Sequence, residues 1–289
     1  MKYEGRLFRP PSEAKSLIIQ ITIGCSHNRC TFCSMYKEKK FRIRDIEEIR
    51  NDLNECRKKY TSVGRIFLAD GNGLSVSNAD LELILKEIND IFPECKRVGI
   101  YGAPKDILRK TDKEISKLKE LGLGIIYLGI ESGSDKVLSQ VKKGVTAKEM
   151  IEAGKKVVKS GIILSTMIIS GLGGKALFKE HAIESAKVVS AINPNFVALL
   201  TLLVEPNTEI YDDINSGKIK LLTSKEVLDE TEIFIKNIDV DKCVFRSNHA
   251  SNYISLAGKL PEDKELLLDL IKEAKNEEYD LKEEFFRRL

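Results

Sequence analysis

This chain of 289 residues contains no tryptophan, and no stretch of it is apolar for long enough to cross a bilayer. It begins with neither the pattern of a secretory leader nor a twin-arginine pair, so the protein is expected to be cytoplasmic and off the membrane. In that compartment thiols stay reduced, which makes the six cysteines candidate metal ligands or reactive groups before they are disulfide candidates. An excess of charge is lacking as well. Against 47 basic residues stand 44 acidic ones, and the net +3 provides no strong field for a polyanion, so nucleic acid is not an expected partner. No internal repeat, low-complexity tract or interdomain linker interrupts the chain. With 42% apolar residues it can bury one substantial core plus a short extension.

Three cysteines lie within nine residues, Cys25, Cys30 and Cys33, directly after the apolar run Leu17 to Ile23. A cluster of the 4Fe-4S type takes four ligands, normally all thiolate, so three from one loop leave one iron open for another molecule. That is the logic of an open catalytic metal site. A zinc site made of Cys25, His27, Cys30 and Cys33 is the rival reading. It would require one compact loop to wrap the metal alone, whereas such sites usually draw a second ligand pair from elsewhere. Cys56, Cys95 and Cys243 stand isolated, without ligand-like spacing, so a single cluster is expected.

Short apolar runs recur at Leu17 to Ile23, Arg65 to Ala69, Arg97 to Tyr101, Gly124 to Ile130, Ile162 to Ile169 and Phe196 to Val204. Charged segments of helical period separate them, such as Ile46, Ile49, Leu53 and Leu81, Leu85, Ile88. Strands alternating with amphipathic helices predict an α/β fold with a parallel sheet and crossover helices. Six units are too few for an eightfold barrel, so an open six-stranded partial TIM barrel, (β/α)6, is expected. Residues 1–15 read as a strap leading into it, residues 16–236 as the barrel and residues 237–289 as a C-terminal extension. Chemistry in such barrels gathers at the C-terminal ends of the strands.

The cysteine loop resembles that of the radical S-adenosylmethionine superfamily, whose signature is CxxxCxxC with an aromatic residue before the third cysteine. Here that aromatic is Phe32, and four residues rather than three separate Cys25 from Cys30. The segment around Asp70, Gly71, Asn72 and Gly73 follows the second strand-like run and occupies the place of the family's glycine-rich motif. The resemblance implies that Asp70 or Asn72 accepts from the methionyl ammonium and that Gly71 lets the backbone come close. Glu131, at the end of the Gly124 to Ile130 run, is similarly placed to the ribose contact of the branch containing methylthiotransferases and oxygen-independent coproporphyrinogen oxidase. Ser132 and Ser134 can cap the next helix, and the other reading of Glu131 is a cap or a lysine partner. Thr146 and Glu149 have the spacing of a capping box. Ser170 and Gly171 begin a glycine loop after the fifth run, and Leu203, Val204 and Glu205 end the sixth, where the family contacts adenine.

The resemblance covers roughly residues 15 to 235 in the family's order. It implies one 4Fe-4S cluster on Cys25, Cys30 and Cys33, S-adenosylmethionine as cosubstrate, and a flavodoxin- or ferredoxin-type electron donor. The activity it implies is reductive cleavage of S-adenosylmethionine to a 5′-deoxyadenosyl radical that abstracts hydrogen from a small-molecule substrate. An oxidoreductase or rearranging enzyme is expected; the alternatives are a group transferase acting on RNA or protein, or a non-catalytic carrier of a cluster or heme. Substrate recognition is expected in the polar segment Cys243 to Tyr253, with Arg246, Asn248, His249 and Asn252 facing the substrate. Arg246 would bind a carboxylate or phosphate, and His249 would move protons. Cys243 is a candidate hydrogen-atom donor, the alternative being a plain buried thiol. The same segment could instead be a polar loop under the barrel, with Asn248 and Asn252 in turns. The stretch from Glu262 to Leu289, with Leu266, Leu267, Leu270, Ile271, Phe285 and Phe286, reads as a helix packed on the barrel.

Overall fold

The computed structural model describes residues 3–276 and 281–287. The chain forms two compact units that interleave along the sequence: Met1–Asn28, Met35–Leu128 and Lys156–Leu164 in the first, Arg29–Ser34, Gly129–Lys155 and Ser165–Leu289 in the second.

The first unit contains β1 (Leu17–Gln20), β2 (Thr22–Ile23), β3 (Arg42–Ile43), α1 (Ile46–Lys59), β4 (Arg65–Ala69), α2 (Asn78–Ile91), β5 (Arg97–Gly102), α3 (Pro104–Arg109), α4 (Asp112–Glu120) and most of β6 (Leu123–Glu131). Strands β1, β4, β5 and β6 pair in parallel, with Leu17 opposite Ile66, Arg65 opposite Arg97 and Gly99 opposite Ile125. Four consecutive residues of β4, Ile66 to Ala69, are buried, which is the two-sided apolar pattern of a parallel sheet carrying crossover helices. The first expected strand breaks at Ile21: Leu17–Gln20 joins the sheet, while Thr22–Ile23 turns aside to pair antiparallel with Arg42–Ile43. Helices α1 and α4 begin with capping boxes, Asp45 with Glu48 and Thr111 with Glu114. The strap lies along β1, where Tyr3 donates to the Ile18 carbonyl and Gln20 bonds the Glu4 backbone at both ends of its amide.

The second unit holds α5 (Asp135–Gln140), most of α6 (Ala147–Ser160) and of β7 (Ile163–Ser170), then α7 (Gly174–Ile192), β8 (Phe196–Thr201), α8 (Glu209–Asn215), α9 (Ser224–Asn237), β9 (Cys243–Ser247), β10 (Leu256–Leu260) and α10 (Lys264–Lys275). The capping box of Thr146 and Glu149 forms as its spacing predicts: each backbone N–H donates to the other's side chain, at 2.7 and 3.2 Å. Strand β8 pairs in parallel with β7 and β9, and β10 runs antiparallel to β9. The expected α/β class is observed, but β9 and β10 exceed the expected strand count. Their residues alternate buried and open along β9, with Cys243, Phe245 and Ser247 inward, and Arg246 and Ser247 gave that period the look of a polar loop. The C-terminal helix ends at Lys275, and Glu284–Phe286 form a 3-10 turn with Phe285 and Phe286 exposed. The part of the expected helix over residues 277–280 and 288–289 lies outside the described residues.

Candidate functional site

In the first unit, the strand end of β4 is tied to the start of the cysteine loop. Asp70 is fully buried, and its Oδ2 accepts from the Gly24 N–H at 3.0 Å, from Gln20 at 3.2 Å and from the Lys39 ammonium at 2.8 Å. Its Oδ1 is buried with no hydrogen-bond partner. Gly71 donates to the Gly24 carbonyl, and a Cβ at this position would come within 2.5 Å of the Tyr36 ring and 3.0 Å of Cys25 Cβ. Only glycine permits that approach. Asn72 is spent on the fold: Nδ2 donates to Ser26 at 2.7 Å and to Asp106 at 2.6 Å, and Oδ1 accepts from the Ala103 N–H. Of the two expected acceptors for an ammonium, Asp70 thus keeps an unused oxygen while Asn72 positions the turn.

In the second unit, the segment carrying Cys30 and Cys33 is fixed by its backbone. The Thr31 N–H donates to the Val141 carbonyl, and the Thr31 carbonyl accepts from Ile210. Phe32 packs against a core of Val137, Val141, Leu172, Leu202, Ile210 and Ile219, and Val204 joins the same cluster. Cys25, Cys30 and Cys33 are all partly exposed, whereas Cys56 and Cys243 are buried. Among the described residues, no three His, Cys, Asp or Glu side chains are gathered as a metal-ligating group. The fit to an iron-sulfur cluster therefore rests on the donor chemistry, three accessible thiols on one short loop, and on the glycine cradle beside Cys25.

Glu131 has φ +64, a left-handed conformation that a non-glycine residue adopts at a cost. Its carboxylate pairs with Lys143 at 2.9 Å, both side chains being nearly buried. A relay behind it holds the turn. Nε2 of the fully buried His181 faces the Ile169 carbonyl at 3.1 Å, so that nitrogen carries the proton, and Nδ1 accepts from the Ser132 hydroxyl at 2.8 Å. Ser132 Oγ in turn accepts from the Ser134 N–H, and Ser134 caps α5. Burial pushes the His181 pKa down to about 4, so the ring is neutral.

A cleft of 310 Å³ opens in the second unit beyond the C-terminal ends of β7 and β8. Ser170, Gly171, Leu203, Val204 and Glu205, all expected at the cosubstrate, line it, and Tyr253, Glu284 and Arg287 stand on its wall. The buried Arg287 donates to the carbonyls of Ser251 and Leu202 and to the Tyr253 hydroxyl. Behind Gly171, Oε2 of Glu230 on α9 accepts the Gly171 N–H at 2.7 Å. Desolvation pushes the Glu230 carboxyl up to about 8, partly offset by that N–H and by the Ser170 hydroxyl.

The expected substrate residues separate here. Asn252 is buried and staples β8, donating to the Leu199 carbonyl and accepting from Thr201. His249 Nδ1 accepts from the Ser251 N–H, and burial, assisted by Lys282, lowers its pKa. Asn248 is exposed. Arg246 stacks on Phe196 at the opposite end of β8 from the cleft, and Cys243 is completely buried with its thiol pushed up to about 12 by desolvation. None of these five side chains lines the cleft. The sequence reading missed His181, Lys143 and Arg287, which carry no motif, while Tyr253, the last residue of the expected substrate segment, does stand on the cleft wall. It also missed Glu230, which did carry a signal: it lies among Val227, Thr231 and Phe234 on the buried stripe of α9.

The radical SAM superfamily matches residues 19–182. A protein of Methanocaldococcus jannaschii, provisionally named a methylthiotransferase, is 26% identical over 206 residues, which is 68% of this chain and 44% of that protein. A second protein of the same organism, uncharacterized, is 26% identical over 82% of this chain and 74% of its own length. The chain thus spans less than half of the first relative. Among solved structures, a radical S-adenosylmethionine methyltransferase from Kitasatospora setae, with cobalamin and a 4Fe-4S cluster bound, has the same fold at a TM-score of 0.58. It is 17% identical, over 74% of this chain and 43% of that one. Because the family match takes in more than half of its residues, this chain belongs to the radical SAM superfamily, whose members work with a 4Fe-4S cluster and S-adenosylmethionine.

Proposed function

We propose that this chain binds S-adenosylmethionine at the cleft beyond β7 and β8, generates a 5′-deoxyadenosyl radical from it and uses that radical on a small molecule. The observation that carries the reading is the cleft itself, because its lining brings together Ser170, Gly171, Leu203, Val204 and Glu205, the residues that the family resemblance implies at the cosubstrate. Cys25, Cys30 and Cys33 would hold the cluster, which when bound supplies the one-electron cleavage of S-adenosylmethionine. Asp70 fixes the start of the cysteine loop through the Gly24 N–H and offers its second oxygen to an ammonium. Phe32 and Val204 share an apolar cluster that keeps water from one side of the loop. Glu131, held by Lys143, retains acceptor capacity for ribose hydroxyls. Leu202, Leu203, Leu222 and Val227 give the cleft an apolar lining suited to a base or a small substrate, and 310 Å³ is the scale of a small-molecule site.

Hydrogen abstraction leading to oxidation or rearrangement is the outcome we favour, with a flavodoxin- or ferredoxin-type donor in the cytoplasm as the source of the electron. Group transfer is the second reading, favoured by the methylthiotransferase name of one relative. The test is anaerobic reconstitution with iron and sulfide, then reduction by dithionite with S-adenosylmethionine and assay for 5′-deoxyadenosine. Product is expected from the native chain and none from Cys30→Ala. Stoichiometric zinc, or a competent cluster that yields no 5′-deoxyadenosine, would overturn the reading.

A further inference from the structure

Glu230 is a carboxylic acid in a place where burial should have selected an apolar residue. It is 2% exposed, and Val227, Leu228, Thr231, Phe234 and Ile235 share its buried face of α9. One oxygen receives the Gly171 N–H at 2.7 Å, and the other, Oε1, is buried without a hydrogen-bond partner in the geometry observed. A buried polar group is costly unless it completes something. What it completes is the turn after β7. Gly171 has φ +83, its carbonyl accepts from Gly174, and the Ser170 carbonyl accepts from Leu202, just past the end of the neighbouring strand β8. That leaves the Gly171 N–H pointing at α9, and Glu230 is its acceptor. Ser170 and Gly171 line the cleft, as does Val227, one helical turn before Glu230, whereas Glu230 does not.

We propose that Glu230 is a positioning residue of the cosubstrate cleft, holding the Ser170–Gly171 turn from behind in the conformation that presents it to the adenosine portion of S-adenosylmethionine. This rests on the assignment of the cleft to the cosubstrate. Removing the acceptor leaves the Gly171 N–H buried and unpaired, which is relieved if the turn rotates away from its ligand-ready conformation. Because desolvation keeps the acid in its uncharged form near neutral pH, glutamine is the faithful replacement: it has the same length, the same acceptor and no charge. Leucine or methionine fills the space without an acceptor, and replacement of a buried ionisable group by an apolar one is usually tolerated by a fold.

The experiment is calorimetric binding of S-adenosylhomocysteine to the full, cluster-loaded chain, with thermal melting as the check on folding. Glu230→Gln is expected to bind within about threefold of the native protein, and Glu230→Leu about ten- to thirtyfold more weakly. Glu230→Met repeats the test should the leucine variant not fold. Val204→Trp, which blocks the cleft, separates the two ideas. If it binds as the native chain does, the ligand is elsewhere and the cleft assignment fails. If it abolishes binding while Glu230→Leu binds normally, the assignment stands and the role of Glu230 is refuted. Equal weakening by the Gln and Leu variants would also refute it, because a hydrogen-bond acceptor would then not be what matters.

Discussion

His181 gives its Nε2 proton to the Ile169 carbonyl and receives the Ser132 hydroxyl proton at Nδ1, so neither nitrogen has room for a second charge-bearing proton without breaking the relay. Its pKa lies at about 4 in the folded chain against 6.5 for the unperturbed ring. The unfolded chain therefore binds the proton first as pH falls, and the stability linked to this residue is complete above about pH 6.5 and lost on the way down to about pH 4. The gap corresponds to about 3 kcal/mol. Urea midpoints of the native chain should fall faster between neutral pH and pH 4 than those of His181→Asn, whose own stability is lower but lacks this titration. Parallel curves would rule the relay out. None of this was legible in the sequence, where a single histidine on a helix has the same appearance whether it fills a core or holds a turn. Asp70 and Gly71 drew attention because a strand followed by glycines implies close packing of the backbone, and at Gly71 the structure shows such packing against Tyr36 and Cys25.

At the level of elements, the segment between β9 and β10 is laced to the end of β8. Asn252 donates to the Leu199 carbonyl at 2.8 Å and accepts from Thr201 at 2.9 Å, while the Ser251 hydroxyl accepts the Thr201 N–H. Asn252→Ala removes both side-chain bonds inside the protein and should lower unfolding stability by about 1–3 kcal/mol. Asn248→Ala, at an exposed position nearby, should stay within about 0.5 kcal/mol. Denaturant titration of the two variants checks this, and a reversed order would mean that Asn252 is not a staple. The runs that became β4 to β8 were legible because apolar length and helical spacing agree about them. Strands β9 and β10 were not, because burial of Cys243 and Phe245 at alternate positions is a weak signal beside an exposed Arg246. Arg246, expected on a substrate anion, spends its guanidinium over the Phe196 ring.

Across the whole molecule, charge gives a small substrate and a nucleic acid different testable consequences. The sequence carries 47 basic and 44 acidic side chains, and the structure spends many of them on one another, as in Lys136 with Glu180, Lys175 with Glu226 and Lys275 with Glu232. An RNA partner binds largely by displacing counterions from phosphates, which requires unopposed basic groups and gives affinity that falls steeply with salt. With charges paired and the net at +3, that driving force is small. Bulk tRNA titrated into the full chain at about 150 mM monovalent salt, where charges are screened beyond about 8 Å, is expected to produce no saturable binding. Sub-micromolar binding that weakens sharply with added salt would instead move the reading to RNA modification and to group transfer. A target base would then have to be flipped out of its strand to reach the radical, because the 310 Å³ cleft beyond β7 and β8, assigned to S-adenosylmethionine, has no room for a folded polymer.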